Sequence, residues 1–175
     1  AIIVVEKTEG MYFVRKITEF VGAKFSVQLS HINKTIKRIK PSKVFVDNYG
    51  MGEKLYEDLQ DEHGMIIRPA DFTNENKNRM IHRLRLLFED RRIKIPRHDK
   101  LMAQLHALER DTSGSRTKWK PGKTSEYGRH DDLVWALAVA CYDKVINRTH
   151  FFESGNDSPP ESLHNIQRIV PKERI

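Results

Sequence analysis

The sequence predicts an α/β domain built on a mixed sheet flanked by helices. β-rich runs alternate with stretches whose apolar residues recur at helical spacing, which implies strands joined by crossover helices. The first two β-rich runs meet at a hairpin signal, so part of the sheet is antiparallel. A length of 175 residues is enough for one domain with a substantial core.

Taken in order, residues 1–7 and 11–20 form the opening hairpin, turning through Thr8-Glu9-Gly10. Ile32, Ile36 and Ile39 place a helix over residues 27–40, which Pro41-Ser42 ends before a strand over 43–47. Asn48-Tyr49-Gly50-Met51-Gly52 turns the chain into a helix burying Leu55, Tyr56 and Leu59. A strand over 65–69 leads to a long amphipathic helix over 74–90, then to a short strand over 93–96 and a helix carrying Leu101, Leu105 and Leu108. Residues 111–129 are rich in Ser, Thr, Gly, Lys and Trp and suit a β-hairpin; the helix that follows is almost wholly apolar. Beyond Asn147 periodicity is lost, so the domain is expected over residues 1–147 and a tail or linker over 148–175. Ala1-Ile2-Ile3-Val4-Val5 opens inside a strand without an initiator Met, which predicts that residues precede Ala1 in a longer parent protein.

Lys and Arg number 31 against 24 Asp and Glu, a formal charge of +7. This surplus favours polyanionic partners such as nucleic acid. One cysteine, Cys141, excludes an internal disulfide and a cysteine-based zinc site and suits a reducing cytosol. The longest apolar run, residues 133–141, is too short to cross a bilayer, and no membrane partner is expected. Gly50-Met51-Gly52-Glu53-Lys54 lacks the phosphate-loop spacing, and no G-x-S-x-G elbow occurs.

The most informative run is His130-Asp131-Asp132, which opens the apolar helix. Carboxylates at the mouth of a buried helix need compensation, and a divalent cation supplies it for several at once. Asp47 ends an apolar strand, at the strand end where α/β sheets present ligands to chemistry; an Asx turn is the alternative role. Asp131 or Asp132 serves as helix cap under the structural reading. Asp132 is favoured as the main metal ligand because Ala136, Val139 and Ala140 follow it at helical spacing, which leaves Asp131 auxiliary. His130 acts near the leaving group or packs the helix entry. Arg116, Lys118, Lys120, Lys123 and Arg129 surround Trp119 in the hairpin, a basic flap suited to gripping phosphate backbone while Trp119 packs or stacks; a solvated loop is the alternative.

In order along the chain stand Val46-Asp47-Asn48-Tyr49-Gly50-Met51-Gly52-Glu53, then Thr73 and Lys77, Ile93-Lys94-Ile95-Pro96, residues 101–108, and His130-Asp131-Asp132-Leu133 with Ala136-Leu137-Ala138. This ordered set resembles the nuclease domain of viral large terminase subunits of the tailed-bacteriophage type. The resemblance implies a ribonuclease H-like fold and an endonuclease that cuts concatemeric viral DNA during genome packaging in the cytoplasm of an infected host cell. It also implies a linked ATPase domain on the parent polypeptide, and portal and small terminase subunits as partners. Asp47 then corresponds to the second-strand acid of the metal site and Asp132 with Asp131 to the acid of the last helix. Lys77 neutralises a substrate phosphate or orders a carboxylate; a solvated position on its helix face is the alternative. The family's first catalytic Asp lies on a strand preceding the segment that matches Ala1, and Glu6, the acid within the first hairpin strand, is a weak substitute for it. The chemistry expected is phosphodiester hydrolysis with two Mg²⁺ or Mn²⁺ ions roughly 3.5–4 Å apart. Two rivals are another ribonuclease H-like nuclease, such as a junction resolvase or transposase core, and a non-catalytic nucleic-acid-binding module.

Overall fold

The computed structural model describes residues 1–112, 118–122 and 130–142. These lie within one compact unit, Ala1–Asp143; the expected boundary after residue 147 falls outside the described residues.

Strands β1 (Ile2–Thr8) and β2 (Met11–Thr18) pair antiparallel with Thr8 opposite Met11. Glu9 and Gly10 both take positive φ, 50° and 77°, as the tightest hairpin turn requires. α1 (Phe25–Ile39) and α2 (Met51–His63) enclose β3 (Val44–Asp47), which pairs in parallel with β4 (Ile67–Ala70). The strand expected from residue 65 begins two residues later. Gly64 closes α2 at φ 63°, one 3-10 turn follows over Gly64–Ile66, and Met65 points to solvent.

α3 (Asn74–Glu89) leads to β5 (Ile93–Lys94), which adds to β2 in parallel, so the sheet β1-β2-β5 is mixed as expected. α4 (Asp99–Ala107) stops one residue short of Leu108, which opens β6 (Leu108–Asp111) opposite β7 (Lys118–Pro121). Leu108 still packs on the core, which explains why its spacing read as helical. α5 (Asp132–Ala140) is the central helix of the larger core, with Leu133, Val134, Leu137 and Ala138 at most 1% exposed. That core joins β1, β2 and β5 to α3, α4 and α5, and a smaller one joins β3 and β4 to α1 and α2.

β1 is the edge strand of its sheet, and no ladder joins it to β3 among the described residues. Between them lies an apolar cavity of about 540 Å³, walled by Ile2–Val5 of β1, Val44–Asp47 of β3, Ile36, Leu59 and α5 residues Ala136 and Val139.

Candidate metal centre

Asp47 is held where β3 gives way to α2. Its Oδ1 accepts the Tyr49 amide at 3.1 Å, so the Asx turn exists and engages one carboxylate oxygen. Gly50 follows at φ 58°, and the first turn of α2 then passes so near that a Cβ on Gly52 would lie 2.2 Å from the Asp47 carbonyl oxygen. Only glycine permits this approach.

The acids of α5 are arranged differently. Asp131 occupies the cap position but makes no side-chain cap bond to the backbone; its Oδ2 accepts the Trp135 indole N–H at 2.7 Å. The Leu133 amide instead donates to Oε1 of Gln104 on α4 at 3.0 Å. Asp132, one helical turn before Trp135 and Ala136, stays exposed.

Asp132, Trp135, Ala136 and Val139 follow an i, i+3, i+4, i+7 pattern and form one wall of a cleft of about 310 Å³. Phe45, Asp47, Ala70, Phe72, Lys77 and Ala1 complete it. Lys77 reaches this cleft from the first turn of α3. Thr73 caps that helix by accepting the Asn76 amide at 3.3 Å, while Asp71 accepts the Thr73 amide at 3.1 Å and the Asn76 side chain at 2.7 Å. The Lys77 ammonium stands 4.9 Å from the Trp135 ring centre and 5.9 Å from that of Phe72, and the two rings meet edge to face at 6.1 Å.

The structure therefore brings together Asp47, Asp132 and Lys77 in one cleft. His130 is exposed just before α5, and the lining of the cleft includes neither it nor Asp131. In the hairpin, Lys118 is exposed, whereas Lys120 donates to Asp111 at 2.9 Å; that carboxylate raises the lysine pKa above its ordinary value. Trp119 packs on the main core and donates its indole N–H to Asn78 at 2.6 Å. Arg116, Lys123 and Arg129 lie outside the described residues. Glu6 pairs with Arg15 at 2.6 Å and does not line the cleft. Sequence reasoning passed over Trp135, Phe72 and Gln104. A polar residue on the apolar face of α4 and an indole four residues after Asp131 were the available signals.

Two carboxylates with oxygen donors suit a hard divalent cation such as Mg²⁺ or Mn²⁺. Among the described residues no three His, Cys, Asp or Glu side chains cluster to hold one ion; Asp47 and Asp132 are the two acids that line the cleft.

Asp47 at the end of β3 and Asp132 at the start of the central helix α5 thus face one cleft. The chain belongs to the terminase RNaseH-like domain family, whose model matches residues 1–143. Its fold is similar to that of the large terminase nuclease from thermophilic phage G20c with bound magnesium, at 20% identity and a TM-score of 0.63 over 80% of each chain. The same nuclease with bound cobalt aligns at 22% identity and a TM-score of 0.61, covering 80% of this chain and 79% of that one. The Thermus phage P74-26 large terminase nuclease domain aligns at 19% identity and a TM-score of 0.58, covering 79% and 76%. No curated protein matches the chain. The family resemblance and the ribonuclease H-like fold expected from the motifs are both met.

Proposed function

We propose that this chain is the nuclease portion of a viral large terminase subunit, a divalent-metal-dependent endonuclease that cuts concatemeric viral DNA during packaging. The observation that carries this reading is the convergence of Asp47 and Asp132, distant in sequence, on one cleft beside Lys77. The bound magnesium and cobalt of the G20c nuclease support the choice of a divalent ion.

Asp47 and Asp132 hold the metal, and Asp131 acts behind Asp132 as an auxiliary group. Two divalent ions held there would supply activation of a water and stabilisation of the leaving 3′ oxygen of the phosphodiester. Lys77 meets a non-bridging phosphate oxygen at the cleft. In this reading the family's further acid-bearing strand occupies the apolar cavity between β1 and β3.

Arg116, Lys118, Lys123 and Arg129 grip the DNA backbone, with Lys120 shared with Asp111 and Trp119 serving as a packing anchor. The linked ATPase domain, portal and small terminase subunit are the partners in this reading, and the cytoplasm of the infected host is its place of action. Residues 148–175 serve as tail or linker to residues 1–147.

Incubating the parent protein with linear duplex DNA and Mn²⁺ or Mg²⁺ tests the proposal. Metal-dependent cleavage abolished by Asp47→Ala is expected. Marked preference for branched over linear duplex would favour the resolvase reading. Binding without cleavage would favour the non-catalytic one.

A further inference from the structure

We infer that Trp135 is a positioning residue, whose indole face holds the Lys77 ammonium over the acidic cleft and whose N–H is anchored by Asp131. The inference rests on the nuclease reading for its substrate and on the geometry for its parts. A lysine on a flexible stem beside two carboxylates ordinarily pairs with one of them. Among the described residues this ammonium instead meets the rings of Trp135, at 4.9 Å, and Phe72, at 5.9 Å.

An aromatic face attracts a cation without neutralising it. Lys77 thus keeps its full charge for a phosphate oxygen, and Asp47 and Asp132 keep theirs for metal. The indole is fixed on two sides: Phe72 abuts it edge to face, and Asp131 accepts its N–H at 2.7 Å. Donation to an anion also enriches the ring in electron density, which strengthens its hold on the ammonium. Asp131 therefore acts on substrate through Trp135 and Lys77.

The chain has two tryptophans, so its indole N–H signals can be assigned by NMR with Trp119→Phe. Without DNA, Lys77→Met is expected to shift the Trp135 signal, and Asp131→Ala to move it upfield. Adding a short duplex in the presence of EDTA should shift the same signal in the wild-type chain and leave it unmoved in Lys77→Met. In binding assays across a salt series, Lys77→Met and Trp135→Leu should each lower the slope of log affinity against log salt by about 0.9, the value of one phosphate contact. The double variant should lose no more than either, and Trp135→Phe, which keeps a ring face, should retain most of the slope.

Additive losses, or a stably folded Trp135→Leu chain with the wild-type slope, would overturn the platform. Should Trp135→Leu fail to fold, an unmoved Trp135 signal in DNA-free Lys77→Met overturns it alone. A wild-type chain that binds no duplex overturns the nuclease reading and the phosphate role together, while the DNA-free signals still decide whether Lys77 rests on the indole.

Discussion

The Gln104 side-chain oxygen accepts the Leu133 amide proton at 3.0 Å inside the core, and this bond substitutes for the cap that Asp131 or Asp132 would otherwise supply. Helix starts leave amide groups unpaired, and a buried one must be satisfied. Because a residue of α4 satisfies it, Asp131 turns to Trp135 and Asp132 faces the cleft.

Gln104→Leu should therefore destabilise the fold by about 1–3 kcal/mol, the cost of an unsatisfied buried donor. Urea unfolding measures it. A loss below about 0.5 kcal/mol, no more than an ordinary surface substitution, would show that the start of α5 is held by other means.

Gly52→Ala should displace α2 from the Asp47 carbonyl, because the added carbon would lie 2.2 Å from it. Overpacking of this kind costs about 1–3 kcal/mol. Since the same turn aims Asp47, cleavage should fall together with the melting temperature. A variant of wild-type stability and rate would mean that the loop relaxes freely.

Divalent ion should raise the melting temperature of the parent protein, by about 2.7 kcal/mol of added stability at a hundredfold excess over Kd. Asp47→Ala and Asp132→Asn should abolish both that shift and cleavage. Asp131→Asn should retain the shift and reduce cleavage less, since the Asp131 carboxylate lies on the indole. Equal losses for Asp131→Asn and Asp132→Asn would place both acids on the ion.

Neutralising Arg116, Lys118 and Lys123 together should weaken duplex binding for all sequences alike, because phosphate contacts carry no base information. Each lost contact removes about 0.9 from the salt slope. Lys120→Ala alone should change it least, its ammonium being engaged by Asp111. Metal-induced stabilisation should survive in every hairpin variant. An unchanged slope in the triple variant would move the DNA track to Arg79, Arg83 and Arg85 of α3.

Much of this protein is written locally. The opening hairpin follows from β-branched runs flanking Glu9-Gly10, and the helices from apolar spacing. Asp47 and Asp132 stand out because each borders an apolar run, Asp47 at the end of one and Asp132 at the start of another. Local pattern fails where two states use the same residue. Leu108 packs on the core at the start of β6 as it would at the end of a helix, and Met65 leaves the strand because Gly64 lets the chain make one more turn.

Only the tertiary structure decides which partner each polar group takes. Gln104 meets Leu133 across α4 and α5, Trp135 turns its N–H to Asp131 and its face to Lys77, and Lys120 spends its charge on Asp111. Hydrophobic periodicity is a property of neighbours along the chain and survives in the sequence. Hydrogen bonds and charge contacts act over a few ångströms, and those of Gln104 with Leu133 and of Lys77 with Trp135 join residues far apart in sequence, so they are settled only when packing brings those residues together.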